Sequence, residues 1–412
     1  MSATTRVLTG LATGAALGLL LAAWNEPVAL QVANVAQPIG KLWLNALQMT
    51  VVPLVLALVV VGVNTATDAA ASGRIARRAI VVFIVILAGG ALFAALAAPL
   101  VFALFPHNPA LIAALDHASV DSVAQVAPVS WVDSLTAIVP NNAIMAAAQS
   151  AMLPLVVFAL FLGFALTRIA PERRTMLVEF FQAIADAMIV IVRWVLWIAP
   201  LGVFVLILSV CARSGLGMLS ALGVYVLVEC LLYLSVTAMM LPVAMIFGGE
   251  KLRRFALALA PAQAVAISTQ SSLASLPAML ESADRRLGYP KQVASLVLPM
   301  AVSLFRLISP VQYVTSAVFI AWAYGIDLST AQLLAGAMLA VVISLGSVGL
   351  PGQVTFIATN LPVAQAMGLP LSPLGLMLAV DTIPDAVATL GNVTGDLTAT
   401  SVVARQSRRD GG

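Results

Sequence analysis

Apolar residues run along this chain in unbroken stretches of helical length, not in alternation. The stretches 7–24, 42–65, 79–105, 136–167, 176–210, 219–247, 293–323 and 373–404 read as eight membrane spans. About 20 helical residues cross a hydrocarbon core of about 30 Å. Strands of a membrane barrel would alternate over about 10 residues. Two further apolar segments, 255–280 and 330–368, are interrupted by Ser, Gly and Pro. The pattern predicts an all-α polytopic membrane protein.

Composition agrees. The chain of 412 residues is 62% hydrophobic and 9% charged, with mean hydropathy +1.07. An average soluble domain carries about 25% charged residues, so this chain cannot cover a water-facing surface. The net charge of +3 is explained by basic cytoplasmic loops and gives no reason to expect nucleic acid. Most Lys and Arg fall at Arg6 and in clusters at 74–78, 168–174, 251–254, 285–291 and 405–409. The positive-inside rule places these in the cytoplasm. Lys41, Arg193, Arg213 and Arg306 lie elsewhere. Val7 to Trp24 reads as a retained span, because no small-residue cleavage site leads into a soluble domain. Cys211 and Cys230 form neither a disulfide framework nor a metal spacing, and His107 and His117 share one polar loop.

The charges also orient the two interrupted segments. Basic clusters flank 255–280 on both sides, so it enters and returns from the cytoplasm. Segment 330–368 has no basic flank and, by parity, enters and returns from outside. Eight spans then leave both termini in the cytoplasm. Irregular backbone at membrane depth must be buried in protein or line water. Two opposed re-entrant hairpins in corresponding places point to inverted repeats meeting at a mid-membrane site.

The first hairpin tip reads STQSSLASLP, Ser268 to Pro277. Its hydroxyls, with Ser271 and Ser272 at the centre, and its freed amides can bind a carboxylate near a helix N-terminus. The plainer reading is interhelical hydrogen bonding, the common use of Ser and Thr in membranes. The second tip, SLGSVGLPGQVT, contains Gly346, Gly349, Pro351 and Gly352. These break a helix and let backbone approach a ligand or bend as a gate. Close packing through small residues is the alternative.

Asp381, Asp385, Thr389, Asn392 and Asp396 step by 4, 4, 3 and 4, which puts them on one helix face. A central Asp costs about 2.5–3.5 kcal/mol on insertion scales. These carboxylates must therefore face protein, water or cations, and intramembrane ionisable residues are functional candidates. One arginine, Arg306, cannot neutralise three carboxylates, so pairing with it accounts for at most part of them.

At this point the chain resembles a known family. GNVTGDLTATSVVA (391–404), SSLASLP (271–277), GSVGLPG (346–352), AIVPNN (137–142) and APLGVFVLI (199–207) look like the dicarboxylate/amino acid:cation symporter family, colinearly over nearly the whole chain. The resemblance implies a homotrimer in the inner membrane and elevator-type alternating access. It implies scaffold at 1–72 and 136–214, a third span with outer loop at 73–135, and a transport domain at 215–412. Asp385 matches the aspartate that holds a substrate amino group. Asn392 matches the asparagine that holds its carboxylate, and Thr389 a substrate-contacting threonine. Ser271, Ser272 and Gly349 lie in the hairpin tips beside them. Asp396 matches a sodium-binding aspartate, with Asn392 and Asp381 as further sodium candidates. The coupling ion is sodium or a proton, and no other cofactor is implied.

The chain departs from this pattern in several places. Ala388 stands where the family has an arginine that clamps a side-chain carboxylate. FRLIS, Phe305 to Ser309, stands for NMDGT, which removes Asn and Asp sodium ligands. Phe83, Ile86 and Leu87 replace ligands of the third span, and Gln270 stands where some members have arginine. Both sides of one sodium site are lost together, while Arg306 is gained as a fixed cation or a substrate contact. The expected function is a symporter for a small carboxylate or amino acid with reduced or altered sodium coupling. The rival is an uncoupled facilitator, anion channel or ligand sensor on the same scaffold. An enzyme lacks support, since no nucleophile–base pair, metal cluster or phosphate loop is visible.

Overall fold

The computed structural model describes residues 3–71, 73–106, 139–149, 151–214, 216–346 and 352–410. Regular structure among them is helical throughout. The first elements are α1 (Ala3–Trp24), α2 (Glu26–Gln48), α3 (Val51–Ala71), α4 (Arg74–Phe102), α5 (Ala143–Ala148) and α6 (Met152–Leu166). Then come α7 (Pro171–Trp197), α8 (Ala199–Ser214) and α9 (Leu216–Val243). The chain continues as α10 (Leu252–Thr269), α11 (Ser272–Glu281), α12 (Lys291–Leu304) and α13 (Ile308–Tyr324). It ends with α14 (Thr330–Gly346), α15 (Gly352–Ala366), α16 (Leu374–Val380) and α17 (Thr382–Asp410).

Five described helical rods are long and apolar enough to cross a membrane, or six when the bent pair α16–α17 counts as one span. Of the eight expected, 7–24 and 136–167 are not among them; they contain the shorter apolar helices Thr9–Trp24 and Pro154–Leu166. Run 42–65 straddles the end of α2 and the start of α3, run 176–210 parts at Ile198, and run 293–323 parts between Leu304 and Ile308. Run 373–404 bends by 71° between α16 and α17. Of the run 136–167, residues 136–138 and 150 lie outside the described residues. Pro53, Pro200, Pro310 and Pro384 each sit in the first turn of the helix that follows a break. Proline is tolerated there because the first-turn N–H groups have no helical partner.

Each interrupted segment contains two helices, α10 and α11 or α14 and α15, joined by hydrogen bonds near their outer ends. Arg254 Nε donates to the Arg286 carbonyl at 3.0 Å across the base of α10–α11. Gln332 Nε2 donates to the Met367 carbonyl at 2.8 Å across the base of α14–α15. The basic clusters also gather. Arg405 donates to the Ile246 carbonyl at 2.7 Å, and Arg78 to the Gln406 carbonyl at 3.4 Å. Arg408 reaches the Gly288 carbonyl, and Arg174 pairs with Asp68 at 2.6 Å. Segments far apart in sequence thus share one end of the molecule.

The N-terminal helices α1 and α2 pack on α8. A Cβ at Gly14 would lie 2.6 Å from the Phe204 carbonyl oxygen, so this contact is backbone on backbone. Helix α13 is deeply enclosed: Ile308 to Val311 and Tyr313 to Ala321 are all buried. It packs among α4, α9, α14 and α15 and holds one side of the site.

Candidate functional site

The site begins at the turn between α10 and α11. Gln270 has φ 52°, the positive φ of a non-glycine residue. Its Nε2 donates to the Thr382 carbonyl at 3.0 Å, which ties the turn to the start of α17. Ser271 caps α11: its Oγ accepts from Ala274 N–H at 3.2 Å, and Ser275 Oγ donates to the Ser271 carbonyl at 3.0 Å. The tip serines therefore present a capped helix N-terminus.

Opposite the tip lies the break between α12 and α13. Phe305 ends α12 in extended backbone, φ −117° and ψ 93°. The freed amide of Ile308 donates to Asn392 Oδ1 at 2.9 Å. This settles the amide orientation of Asn392: its oxygen is used by α13, and its NH2 is the end available to a carboxylate. Helix α17 approaches closely because it carries glycine. A Cβ at Gly391 would lie 2.6 Å from Ile308 Cγ1 and from Thr237 Oγ1.

Ser271, Ser272, Arg306 and Thr389 line one small cleft together with Gln270, Val302 and Phe305. The predicted polar face is buried throughout, with Asp381 at the bend before α17 and Asp385, Thr389, Asn392 and Asp396 on α17 itself. Thr389 Oγ1 donates to the Asp385 carbonyl one turn back, at 2.8 Å, so its lone pairs remain for a ligand. Gly349 and Pro351 lie outside the described residues.

The three aspartates are not equivalent. Asp381 Oδ1 accepts from Gln312 Nε2 at 2.8 Å, while its Oδ2 has no hydrogen-bond partner. Both oxygens of Asp396 lack one, in a residue with no exposure. Arg306 acts electrostatically on both Asp381 and Asp396. Two orphaned oxygens on a fully buried carboxylate suit a cation, since such a group is not tolerated without a counter-charge.

The departures from the family pattern also meet in space. Phe83 of α4 and Phe305 stack with ring centroids 4.8 Å apart and planes at 15°, and both are fully buried. Two positions expected from the resemblance to have lost sodium ligands thus fill one volume with an aromatic pair. That volume offers no oxygen ligand from either side chain, so it does not fit sodium.

The sodium:dicarboxylate symporter family model matches residues 3–406. The chain belongs to this family. It is a secondary transporter of the membrane, not an enzyme. Among relatives in this symporter family, a proton/sodium-glutamate symport protein of Bacillus caldotenax is 29% identical over 95% of this chain and 92% of its own. A proton/glutamate-aspartate symporter of Escherichia coli (strain K12) is 29% identical over 97% of this chain and 92% of its own. A neutral amino acid transporter B(0) of Oryctolagus cuniculus is 32% identical over 93% of this chain and 76% of its own.

Two polar residues of this symporter were not singled out in the sequence. Gln312 is the partner of Asp381, and its signal was a lone amide inside an apolar run. Glu229 is a fully buried acid in α9. Its signal was an ionisable residue in the middle of a span, flanked at intervals of four by Tyr225 and Tyr233.

Proposed function

We propose that this protein is a symporter that carries a small zwitterionic amino acid by elevator-type alternating access. The cleft shared by Ser271, Ser272, Arg306 and Thr389 carries this reading. It places a helix N-terminus and hydroxyls opposite the face that holds Asp385 and Asn392. Asp385 takes the α-amino group. The Asn392 NH2 and the tip amides take the α-carboxylate. Arg306 and Asp396 set the charge of the surrounding cation sites. Sodium coupling is reduced relative to the family, and the Phe83–Phe305 stack supports the loss of one site. Asp396, with Asn392 one turn before it, remains the sodium candidate, and Asp381, fifteen residues earlier and about 22 Å away along the helix, is a separate one. Residues 1–72 and 136–214 form a trimeric scaffold. The third span and residues 215–412 move, with α10–α11 and α14–α15 as opposed re-entrant hairpins of inverted repeats. Basic loops and both termini face the cytoplasm across the inner membrane.

Relatives of this chain are named for acidic and for neutral substrates, and the residue at 388 bears on the choice. Ala388 is buried on α17 and cannot pair with a side-chain carboxylate. Neutral amino acids are therefore at least equal to L-aspartate and L-glutamate as substrates. Counterflow in proteoliposomes, with L-alanine, L-serine and L-aspartate as probes and with or without a sodium gradient, tests the reading. Exchange of the neutral probes with weak sodium stimulation is the expected result. Sub-micromolar aspartate binding with alanine and serine inert overturns the substrate assignment.

A further inference from the structure

Glu229 has no exposure and lies in the interface between α9 and α13. Its Oε1 accepts from Ser316 Oγ at 3.1 Å, and Ser316 Oγ in turn lies 3.2 Å from the Tyr225 hydroxyl. Its Oε2 has no hydrogen-bond partner, and the Tyr233 hydroxyl is without one as well. Tyr225, Glu229 and Tyr233 are spaced by four along α9, so they form one stripe on the helix. The groups acting on Glu229 are Tyr225, Tyr233 and Ser316. The charged group that faces the stripe from a neighbouring element is Asp381, which adds a second negative charge and no positive one. Cys230 is the adjoining thiol on α9.

A buried carboxylate needs a counter-charge or a proton. The surroundings discriminate between the two. Sodium asks for several oxygen ligands around it, as hard cations do. Here α9 and α13 run unbroken past Glu229 and Ser316, so their carbonyls are engaged in the helices. No group of three or more His, Cys, Asp or Glu able to hold a metal occurs among the described residues. A proton needs a single free oxygen lone pair, and Oε2 has that.

We propose that Glu229 is a proton-binding site built between α9 and α13, separate from the substrate cleft and coupled to it through Asp381. The proposal rests on the transporter reading for its consequence, not for proton binding itself. The step is balanced: one proton from water adds to Oε2, the carboxylate becomes a carboxyl, and the same proton returns to water on the other side. Asp381 stands at the bend that begins α17. Asp381 and Glu229 are held by Gln312 and Ser316, one turn apart on α13, so protonation of Glu229 removes one of two neighbouring buried negative charges. By linkage, occupancy of the site around Asp381 then alters proton affinity at Glu229.

Infrared difference spectroscopy of the protein in nanodiscs, scanned over pH, reads the site directly. The expected result is a carboxylic-acid carbonyl band that titrates and is absent in Glu229→Gln. In proteoliposomes, with L-alanine and L-aspartate as probes, that variant loses proton-driven accumulation to a much greater extent than exchange. Ser316→Ala keeps the acid but removes the donor to Oε1, so it shifts the same band even should Glu229→Gln fail to assemble. A band unchanged in both variants, or undiminished proton-driven accumulation by Glu229→Gln, overturns the proposal. So does a band that sodium abolishes at every pH scanned, instead of shifting it along the pH axis, which assigns the site to that ion. Wild-type protein that neither accumulates nor exchanges any probe defeats the transporter reading, and the infrared result still judges the proton site.

Discussion

Arg306 carries most of the proposed change in coupling. It lines the cleft and its charge reaches both Asp381 and Asp396. Arginine stays charged in essentially any protein site, so here it acts as a permanent cation beside two carboxylates. Arg306→Met strands that negative charge, which must then recruit a proton or a cation. The expected outcome is folded protein with amino acid binding at least about tenfold weaker without sodium, or about 1.4 kcal/mol, restored by sodium or acid. Calorimetric titration with L-alanine and L-serine checks it. Lost binding that no cation restores makes Arg306 a substrate contact instead. The aspartate face of α17 was legible in sequence because helical spacing is local. The partner of Asp381 was not, since Gln312 is 69 residues away and no periodicity relates two helices.

At the scale of elements, four apolar runs break just ahead of a proline in the first turn of the next helix, while Pro99, Pro242 and Pro299 lie inside helices that continue. Hydropathy sums across Pro53, Pro200, Pro310 and Pro384 without change, because residues on both sides are apolar. The backbone does not sum in that way: each proline withholds a donor and starts a new helix. The break before α13 matters most, since it releases the Ile308 amide to Asn392 and turns Phe305 onto Phe83. Phe305→Ala removes the stack and leaves a cavity, which costs about 3–5 kcal/mol in a packed core. A clearly lowered Tm of the detergent-purified variant is the expected reading, and an unchanged Tm shows that the stack is dispensable. Gly391→Val places branched carbons against Ile308 and Thr237. Overpacking of this kind costs about 1–3 kcal/mol, so Tm falls and uptake falls with it.

Over the whole molecule, basic segments distant in sequence meet at one end, through Arg254, Arg405, Arg408 and Arg78. If that end faces the cytoplasm, exposed Asp284 lies inside and exposed Asp327 outside. In a background with Cys211 and Cys230 replaced, Asp327→Cys is expected to react with an impermeant maleimide in intact cells. Asp284→Cys reacts only after permeabilisation. Labelling of both from one side would falsify the hairpin topology. Native mass spectrometry from nanodiscs is expected to give three copies of the chain.

The sequence by itself determined the membrane class, the two interrupted segments and the polar face from Asp381 to Asp396. Each follows from composition or from spacing within a single element, where physical chemistry is local; the family came instead from the resemblance of several separate motifs. Tertiary structure decided which polar groups are satisfied. It put Gln312 on Asp381, left both oxygens of Asp396 bare, closed Phe83 over Phe305, and set Glu229 between Ser316 and two tyrosines. Those outcomes depend on which helix faces touch, and a buried group's energy is fixed by neighbours that only folding brings within a few ångströms.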